Sequence, residues 1–296
     1  MKDRIERFLR YLRIEKGSSV TTVEAYRLDI EKGLMPFLHQ RDKFEIEEVT
    51  KDDVRAYLDY AATTKGNSST TRARKLAAIK SFFNYLVENE GLEANPAASI
   101  RSPRIPEKEP VYLSDEECIR LVTTIARKAK PRIRERDLAM VILFLHTGVR
   151  VSELTNLESP NVDLERSQIK ITRKGNKEQY LHLNGETVST LARYLAKRPQ
   201  AQNGRFFVGT NGGNLNRSYV YGLIRSYLKL ADIEKGKRGP HILRHTFCTR
   251  LHQKGVAPFT IRDLAGHKSL NTTMRYIRIE NKEQAEAVDR LEFGIL

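Results

Sequence analysis

Four of the ten prolines in this 296-residue chain fall in one stretch of nineteen, "ANPAASIRSPRIPEKEPVY" at 94–112. Proline lacks an amide hydrogen and pushes the residue before it out of the helical region. Prolines at this density therefore interrupt any helix and favour an extended connector. The chain must fold as two bodies, residues 1–95 and 113–296, joined by a linker at 96–112. Each is long enough to bury a core of its own.

The first body reads as helix after helix. "RIERFLRYL" sets Ile5, Phe8, Leu9 and Leu12 on one face at helical spacing. A second helix is expected from about Thr21 through "VEAYRLDIEKGLMPFLHQ". Thr50 is placed to cap "KDDVRAYLDYAATT", whose acids fall in the first turn, where the helix dipole favours them. "SSTTRARKLAAIKSFFNYLVENEG" makes a long fourth helix stopped by Gly91. Its Arg72, Arg74, Lys75 and Lys80 are expected to be exposed. They suit a phosphate backbone as well as they suit an ordinary solvated face.

In the second body a helical pattern resumes at Ser114 and changes at 162–185. There "VDLERSQIKIT" and "EQYLHL" alternate apolar and polar residues around "RKGNK", the pattern of a small antiparallel sheet with a basic hairpin tip. Helices follow to the end. The fold class is mainly α, a helical domain followed by a mostly helical domain with a minor sheet.

Composition narrows the function. Residues 1–105 carry 19 lysines and arginines against 16 acids, and residues 106–296 carry 33 against 21. Most of the net +15 thus lies in the second body, which points to a polyanion, most simply nucleic acid. The longest apolar run, "LAMVILFL" at 138–145, is far short of the roughly 20 residues of a membrane span, so no membrane partner is expected. The charged, amphipathic start reads as neither secretory signal nor tag, and the cytoplasm is the expected location. Cys118 and Cys248 form no Cys-x-x-Cys pair and are expected to be reduced packing residues. No cofactor or metal is called for, since there is neither a phosphate-binding Gly-x-x-x-x-Gly-Lys-Ser/Thr loop nor an acidic cluster suited to two magnesium ions.

Three motifs carry chemistry. In "HTGVRVSEL" Gly148 ends a helix, and Arg150 and Glu153, three apart, share a face on which the carboxylate can hold the guanidinium. In "GPHILRHTFCTRL" Pro240 suits a first turn, from which His241 and Arg244 project one turn apart. Together they can donate several hydrogen bonds to one phosphate. His245, a quarter-turn on, is a packing or supporting residue. In "PFTIRDLAGHKSLNTTMRYIR" a helix from Pro258 stops near Gly266, and His267 lies in the turn. The next helix, capped by Asn271 or Thr272, carries Tyr276.

With Lys174 on the hairpin, Arg150, His241, Arg244, His267 and Tyr276 make six groups suited to one transesterification. A phenol with pKa near 10 attacks a phosphodiester only after a base removes its proton. Two arginines can balance charge gathering on the non-bridging oxygens. A lysine can protonate the departing sugar oxygen. Lys177 on the same hairpin is the alternative donor, and Arg173 directly precedes Lys174.

The order Arg, Lys, His-x-x-Arg, His, Tyr resembles the tyrosine recombinase (phage integrase) family. It is carried by "TGVRVSEL", "RKGNKEQYLHL", "HILRHTFCTRL" and "LAGHKSLNTTMRYIR". The two-domain layout resembles the Xer type. "FFNYLVENEGLEANPA" looks like the end of that family's core-binding, SAM-like domain.

The resemblance implies a clamp of two domains on double-stranded DNA carrying paired recombination sites. It implies cleavage by Tyr276 to a 3′-phosphotyrosyl link and a free 5′-hydroxyl. Arg150, Arg244 and His267 would bind phosphate, His241 would accept the proton and Lys174 would be the general acid. Metal- and ATP-independent rejoining would serve chromosome or plasmid dimer resolution, or integration and excision of a mobile element. A tail at 279–296 exchanged between subunits would build a homotetramer. Arg217, Tyr219 and Tyr221, at the start of "NRSYVYGLIRSYL", suit a major groove or a plain scaffold helix. The same residues would also serve a type IB topoisomerase-like nicking-closing enzyme. The charge alone would suit a non-catalytic architectural DNA-binding protein.

Overall fold

The computed structural model describes residues 1–106, 110–173, 177–236, 239–267, 269–274 and 276. The chain divides into two compact units, Met1–Lys108 and Glu109–Leu296.

The first unit is built from α1 (Lys2–Ile14), α2 (Val20–Asp29), α3 (Met35–His39), α4 (Lys51–Thr63) and α5 (Ser69–Asn89). The expected face of α1, Ile5, Phe8, Leu9 and Leu12, is buried. Thr50 caps α4 reciprocally with Asp53: the Asp53 amide donates to the Thr50 hydroxyl, and the Thr50 amide donates to the Asp53 carboxylate. Phe8, Phe82 and Phe83 fill the core, with the first two rings edge-on at 5.3 Å. Burying a side chain of this size contributes about 1.5–3 kcal/mol.

The single helix expected after Thr21 is instead interrupted by a wide π-helical turn at Ile30–Leu34. Pro36 explains it. In α geometry its ring would crowd the carbonyl of residue 32 with no hydrogen to offer, and the wider turn relieves that.

The second unit contains α6 (Asp115–Lys128), α7 (Pro131–Thr147) and α8 (Val151–Asn156). Next come β1 (Val162–Asp163), β2 (Gln168–Arg173), β3 (Lys177–His182), α9 (Gly185–Lys197) and α10 (Arg217–Leu230). α11 (Pro240–Gln253), α12 (Pro258–Ala265) and α13 (Leu270–Met274) complete it. The apolar run lies in α7, buried along its length and packed by α6, α9 and α11. Among the described residues no helix is long and apolar enough to cross a membrane.

The sheet is antiparallel in the order β1-β2-β3, with Gln168 opposite His182 and Arg173 opposite Lys177. Alternation turns Ile169, Ile171 and Arg173 inward. Lys174 and the rest of the hairpin tip lie outside the described residues, as does the chain after Tyr276.

A polar knot, buried except at Tyr219, ties α10 to α7. Asp137 accepts from Arg136 Nε at 2.9 Å and from the Tyr227 hydroxyl at 2.7 Å, while Arg136 Nη2 donates to the Tyr219 hydroxyl at 2.6 Å. Every member has a partner, which such a buried network requires. Cys118 and Cys248 are free and buried, and burial pushes both thiols up to about 11, so they are inert packing residues.

Candidate active site

The site gathers around the turn between α12 and α13. α12 ends at Ala265, and Gly266 takes a left-handed conformation at φ +64°. That reversal exposes the last carbonyls of the helix, the negative end of its dipole, as acceptors for cations. Three guanidiniums use them. Arg150 Nη2 donates to Gly266 O at 2.8 Å, Arg244 Nη2 to Ala265 O at 2.6 Å, and Arg173 to Ala265 O and Leu264 O, each at 2.8 Å.

Each arginine arrives by a separate local device. α7 stops at Gly148 (φ +59°), where a side chain would run into the Phe247 ring. The chain then turns, and Arg150 becomes the residue preceding α8. Its amide donates to Glu153 Oε2 and its Nη1 to Glu153 Oε1, both at 2.7 Å, so the spacing of three does fix the guanidinium. Arg244, buried to 6 % exposure on α11, also donates to Gly148 O. Burial, and then the charge of Arg150, lower its pKa to about 10, which leaves it cationic at neutral pH. Arg173 comes from the inward face of β2. Its Nη1 reaches both Glu153 oxygens at 3.3 Å, and its Nε donates to Gln179 Oε1 at 2.7 Å. Two of the three guanidiniums, those of Arg150 and Arg173, thus share one carboxylate, Glu153, itself 7 % exposed. The cluster keeps a cationic excess next to buried apolar groups, the electrostatic requirement of an anion site.

His267 follows the turn. Its Nδ1 lies 2.8 Å from the Thr273 hydroxyl, and its ring stacks on Tyr276 at 5.9 Å with 16° between planes. His245 flanks the other part of that phenol at 5.2 Å. Tyr276 is 7 % exposed and packs with Phe247, Cys248, Ile261 and Ala265. α13 starts at Leu270, earlier than the expected cap at Asn271 or Thr272. Ser269 does that work, its hydroxyl accepting from the Asn271 amide and its carbonyl from the Thr272 amide.

Burial, and then Arg244, Arg150 and Arg173, depress the His267 pKa to about 4. The imidazole is therefore neutral at physiological pH. An unfolded chain, with a histidine near 6.5, takes up a proton that the folded site refuses, so stability falls as pH drops from about 6.5 towards 4. His146, also depressed by burial, adds a component of the same sign. A His267→Gln variant keeps the His146 part and loses the rest. The difference in thermal midpoint, wild type minus variant, should fall across that window and stay level above pH 7. A level difference throughout would show that His267 is not held neutral.

His241 stands on the first turn of α11, exposed, with the Tyr221 ring edge-on at 5.8 Å. Gly239 (φ +137°) permits this, because a side chain there would press on the Tyr221 ring at 2.8 Å. Arg217 is exposed at the start of α10. The structure thus brings Arg150, Glu153, Arg244, His245, His267 and Tyr276 together. The call on Lys174 falls outside the described residues, and Lys177 is exposed at the start of β3.

In the first unit, Lys75 departs from the expected solvated row. It turns inward to Asp29 and the Tyr57 hydroxyl, each at 3.2 Å, because the Asp29 carboxylate is buried and needs a cation. Arg74, still exposed, pairs with the same carboxylate. Lys80, half-buried, donates to Ala98 O at 2.9 Å, and Arg72, also half-buried, reaches Ser69 Oγ at 3.4 Å.

The reading of the sequence missed Arg173 as a member of the cluster, having treated it only as the neighbour of Lys174. The signal was present. Two residues beyond Ile171 in an alternating strand, it occupies an inward position.

The profile of the Phage integrase family matches residues 112–283, and that of the phage integrase N-terminal SAM-like domain matches residues 5–90. The chain is similar to the tyrosine recombinase XerC of Roseiflexus castenholzii, 33% identical over 292 residues that cover 95% of this chain and 90% of that protein. It is 30% identical to XerC of Caldanaerobacter subterraneus subsp. tengcongensis, with 97% of this chain and 86% of that protein covered. The XerH site-specific recombinase, solved bound to its difH substrate, shares the fold at a TM-score of 0.76 and 22% identity, with 97% of this chain and 85% of that one covered. With its guanidiniums, imidazoles and tyrosine in one cluster and both of its units matched, this chain belongs to the phage integrase family, the tyrosine recombinases.

Proposed function

We propose that this protein is a site-specific DNA recombinase that cuts and rejoins strands through a 3′-phosphotyrosyl link on Tyr276. The observation that carries the reading is the convergence of Arg150, Arg244 and His267 on one turn, with Tyr276 stacked against the imidazole.

The scissile phosphate binds at the Arg150 and Arg244 guanidiniums. Tyr276 Oη forms a bond to phosphorus as the bond to the 5′-oxygen breaks. The phenolic proton passes to His241, and the 5′-oxygen leaves as a hydroxyl after taking a proton from Lys174. His267 is neutral. In the tautomer in which the Thr273 hydroxyl donates to Nδ1, Nε2 carries the proton and donates to a non-bridging oxygen. Charge that gathers there is met by groups already oriented through Glu153 and the α12 carbonyls, so little reorganisation is needed in the transition state. The phosphotyrosyl ester keeps the energy of the broken bond, and the 5′-hydroxyl of another strand reverses the step without a nucleotide.

Residues 113–296 form the catalytic domain in this reading, and residues 1–95 a DNA-binding domain whose Arg72, Arg74 and Lys80 lie along phosphates. Lys75 supports Asp29 behind them. Arg217 and Tyr221 face bases. Two paired sites call for four protomers joined through the segment 279–296, working in the cytoplasm on chromosomal, plasmid or mobile-element DNA.

The test uses duplexes nicked just past candidate scissile phosphates, so that the released fragment diffuses away, in buffer containing a metal chelator and no nucleotide. A protein–DNA adduct that survives boiling in detergent is the expected product. Salt-sensitive binding with no adduct on any duplex would instead mark an architectural DNA-binding protein. Exchange between paired sites, as opposed to relaxation of supercoils alone, separates a recombinase from a nicking-closing enzyme.

A further inference from the structure

We infer that Arg173 is a positioning residue for the phosphate clamp, acting through Arg150 and Arg244 and not by touching DNA. The inference rests on the recombinase reading and adds a residue to its machinery.

Arg173 shares an acceptor with each clamp arginine. Glu153 Oε1 takes Arg150 Nη1 at 2.7 Å and Arg173 Nη1 at 3.3 Å. Ala265 O takes Arg244 Nη2 at 2.6 Å and Arg173 Nη1 at 2.8 Å. One guanidinium therefore braces the carboxylate that aims Arg150 and the carbonyl that aims Arg244. It is 9 % exposed, and its Nε, Nη1 and Nη2 all donate to protein acceptors, which suits a brace and not a ligand for an incoming strand. Its own orientation is fixed from the far side. Nε donates to Gln179 Oε1, and Gln179 Nε2 donates to Asp263 O at 2.9 Å, closing a loop from β2 through β3 to α12.

Space is made for it. A side chain on Gly266 would run into Arg173, within 2.7 Å of Nη1, so the glycine that reverses the chain also admits the brace. Holding three like charges together costs Coulomb energy, and a single carboxylate, Glu153, pairs with two of them, Arg150 and Arg173. An arginine serving packing alone could be replaced at this inward strand position by an apolar residue that avoids the repulsion.

The experiment measures single-turnover adduct formation on a nicked duplex whose scissile group is either a phosphate or a methylphosphonate. The methylphosphonate replaces one charged non-bridging oxygen by a methyl group, so the ratio of the two rates reports how well the clamp meets that charge. Arg173→Met should slow cleavage of the phosphate about 100-fold, the scale expected when a reacting group is misplaced by an ångström. Its preference for phosphate over methylphosphonate should shrink about tenfold, because part of the charge stabilisation is lost. Duplex affinity should hold, and Arg173→Lys, with charge but a single head, should fall between.

The inference is overturned if Arg173→Met lowers the thermal midpoint while the folded protein cleaves at the wild-type rate. It is also overturned if the rate drops with the preference unchanged. Should Arg173→Met fail to fold, Gln179→Met decides. This variant frees Arg173 Nε while leaving the arginine in place, and a reduced preference supports the brace while an unchanged one overturns it. A wild-type protein that forms no adduct on any duplex is a different failure, that of the recombinase reading itself, and the brace falls with it.

Discussion

Tyr276→Phe is expected to abolish covalent capture of DNA, a loss of at least about 10⁴-fold in cleavage, comparable to removing the nucleophile from other covalent enzymes. The substitution deletes one oxygen and keeps the ring. The ring's packing partners, Phe247, Cys248, Ile261 and Ala265, stay in place, so the fold should survive. Affinity for DNA set by phosphate contacts should hold within about twofold at fixed salt. The combination is diagnostic: intact folding and binding with no adduct. An adduct formed by the phenylalanine variant at an undiminished rate would mean that another side chain attacks.

The second large effect falls on Arg244. Replacing it with alanine removes one of the two guanidiniums proposed to bind the phosphate, takes the donor from Gly148 O and leaves Ala265 O with Arg173 alone. Loss of a single transition-state donor costs about 10²–10³ in rate. Here the donor is charged, and its loss also takes one of three guanidiniums from the α12–α13 turn, so the expectation is the top of that range, about 10³. Stability should fall by about 1–3 kcal/mol from the orphaned buried carbonyl of Gly148. Arg244→Lys keeps the charge, but one ammonium cannot hold two carbonyls and a phosphate in a fixed plane, so it should recover only part of the rate. Single-turnover cleavage within tenfold of wild type for Arg244→Ala would remove it from the clamp.

Local spacing made part of this site readable. Arg150 and Glu153 three apart, and His241 and Arg244 one turn apart after a proline, needed only helical geometry. The hairpin followed from alternation around a Gly-Asn pair, and the two glycines that end α7 and α12 stood where the helical pattern broke. What could not be read depends on contacts between distant positions. Arg173 gains its role from carbonyls at 264 and 265, which no periodicity links to residue 173. Lys75 turned out to be internal because a buried carboxylate at 29 needed a cation. The wide turn at 30–34 was announced by Pro36, but the strength of the surrounding helical pattern masked it. The low pKa of His267 comes from burial and then from three arginines around it, of which the sequence pointed to two.

The most direct measurement locates the atom that holds the DNA. The covalent complex is digested with trypsin and nuclease, and the peptide bearing a nucleotide is fragmented in a mass spectrometer. Trypsin cuts after Arg275 and Arg278, so the expected species is the tripeptide Tyr276-Ile277-Arg278, joined through the phenolic oxygen to a 3′-phosphate. A nucleotide on any other peptide, or one attached through a 5′-phosphate, would contradict the proposed chemistry.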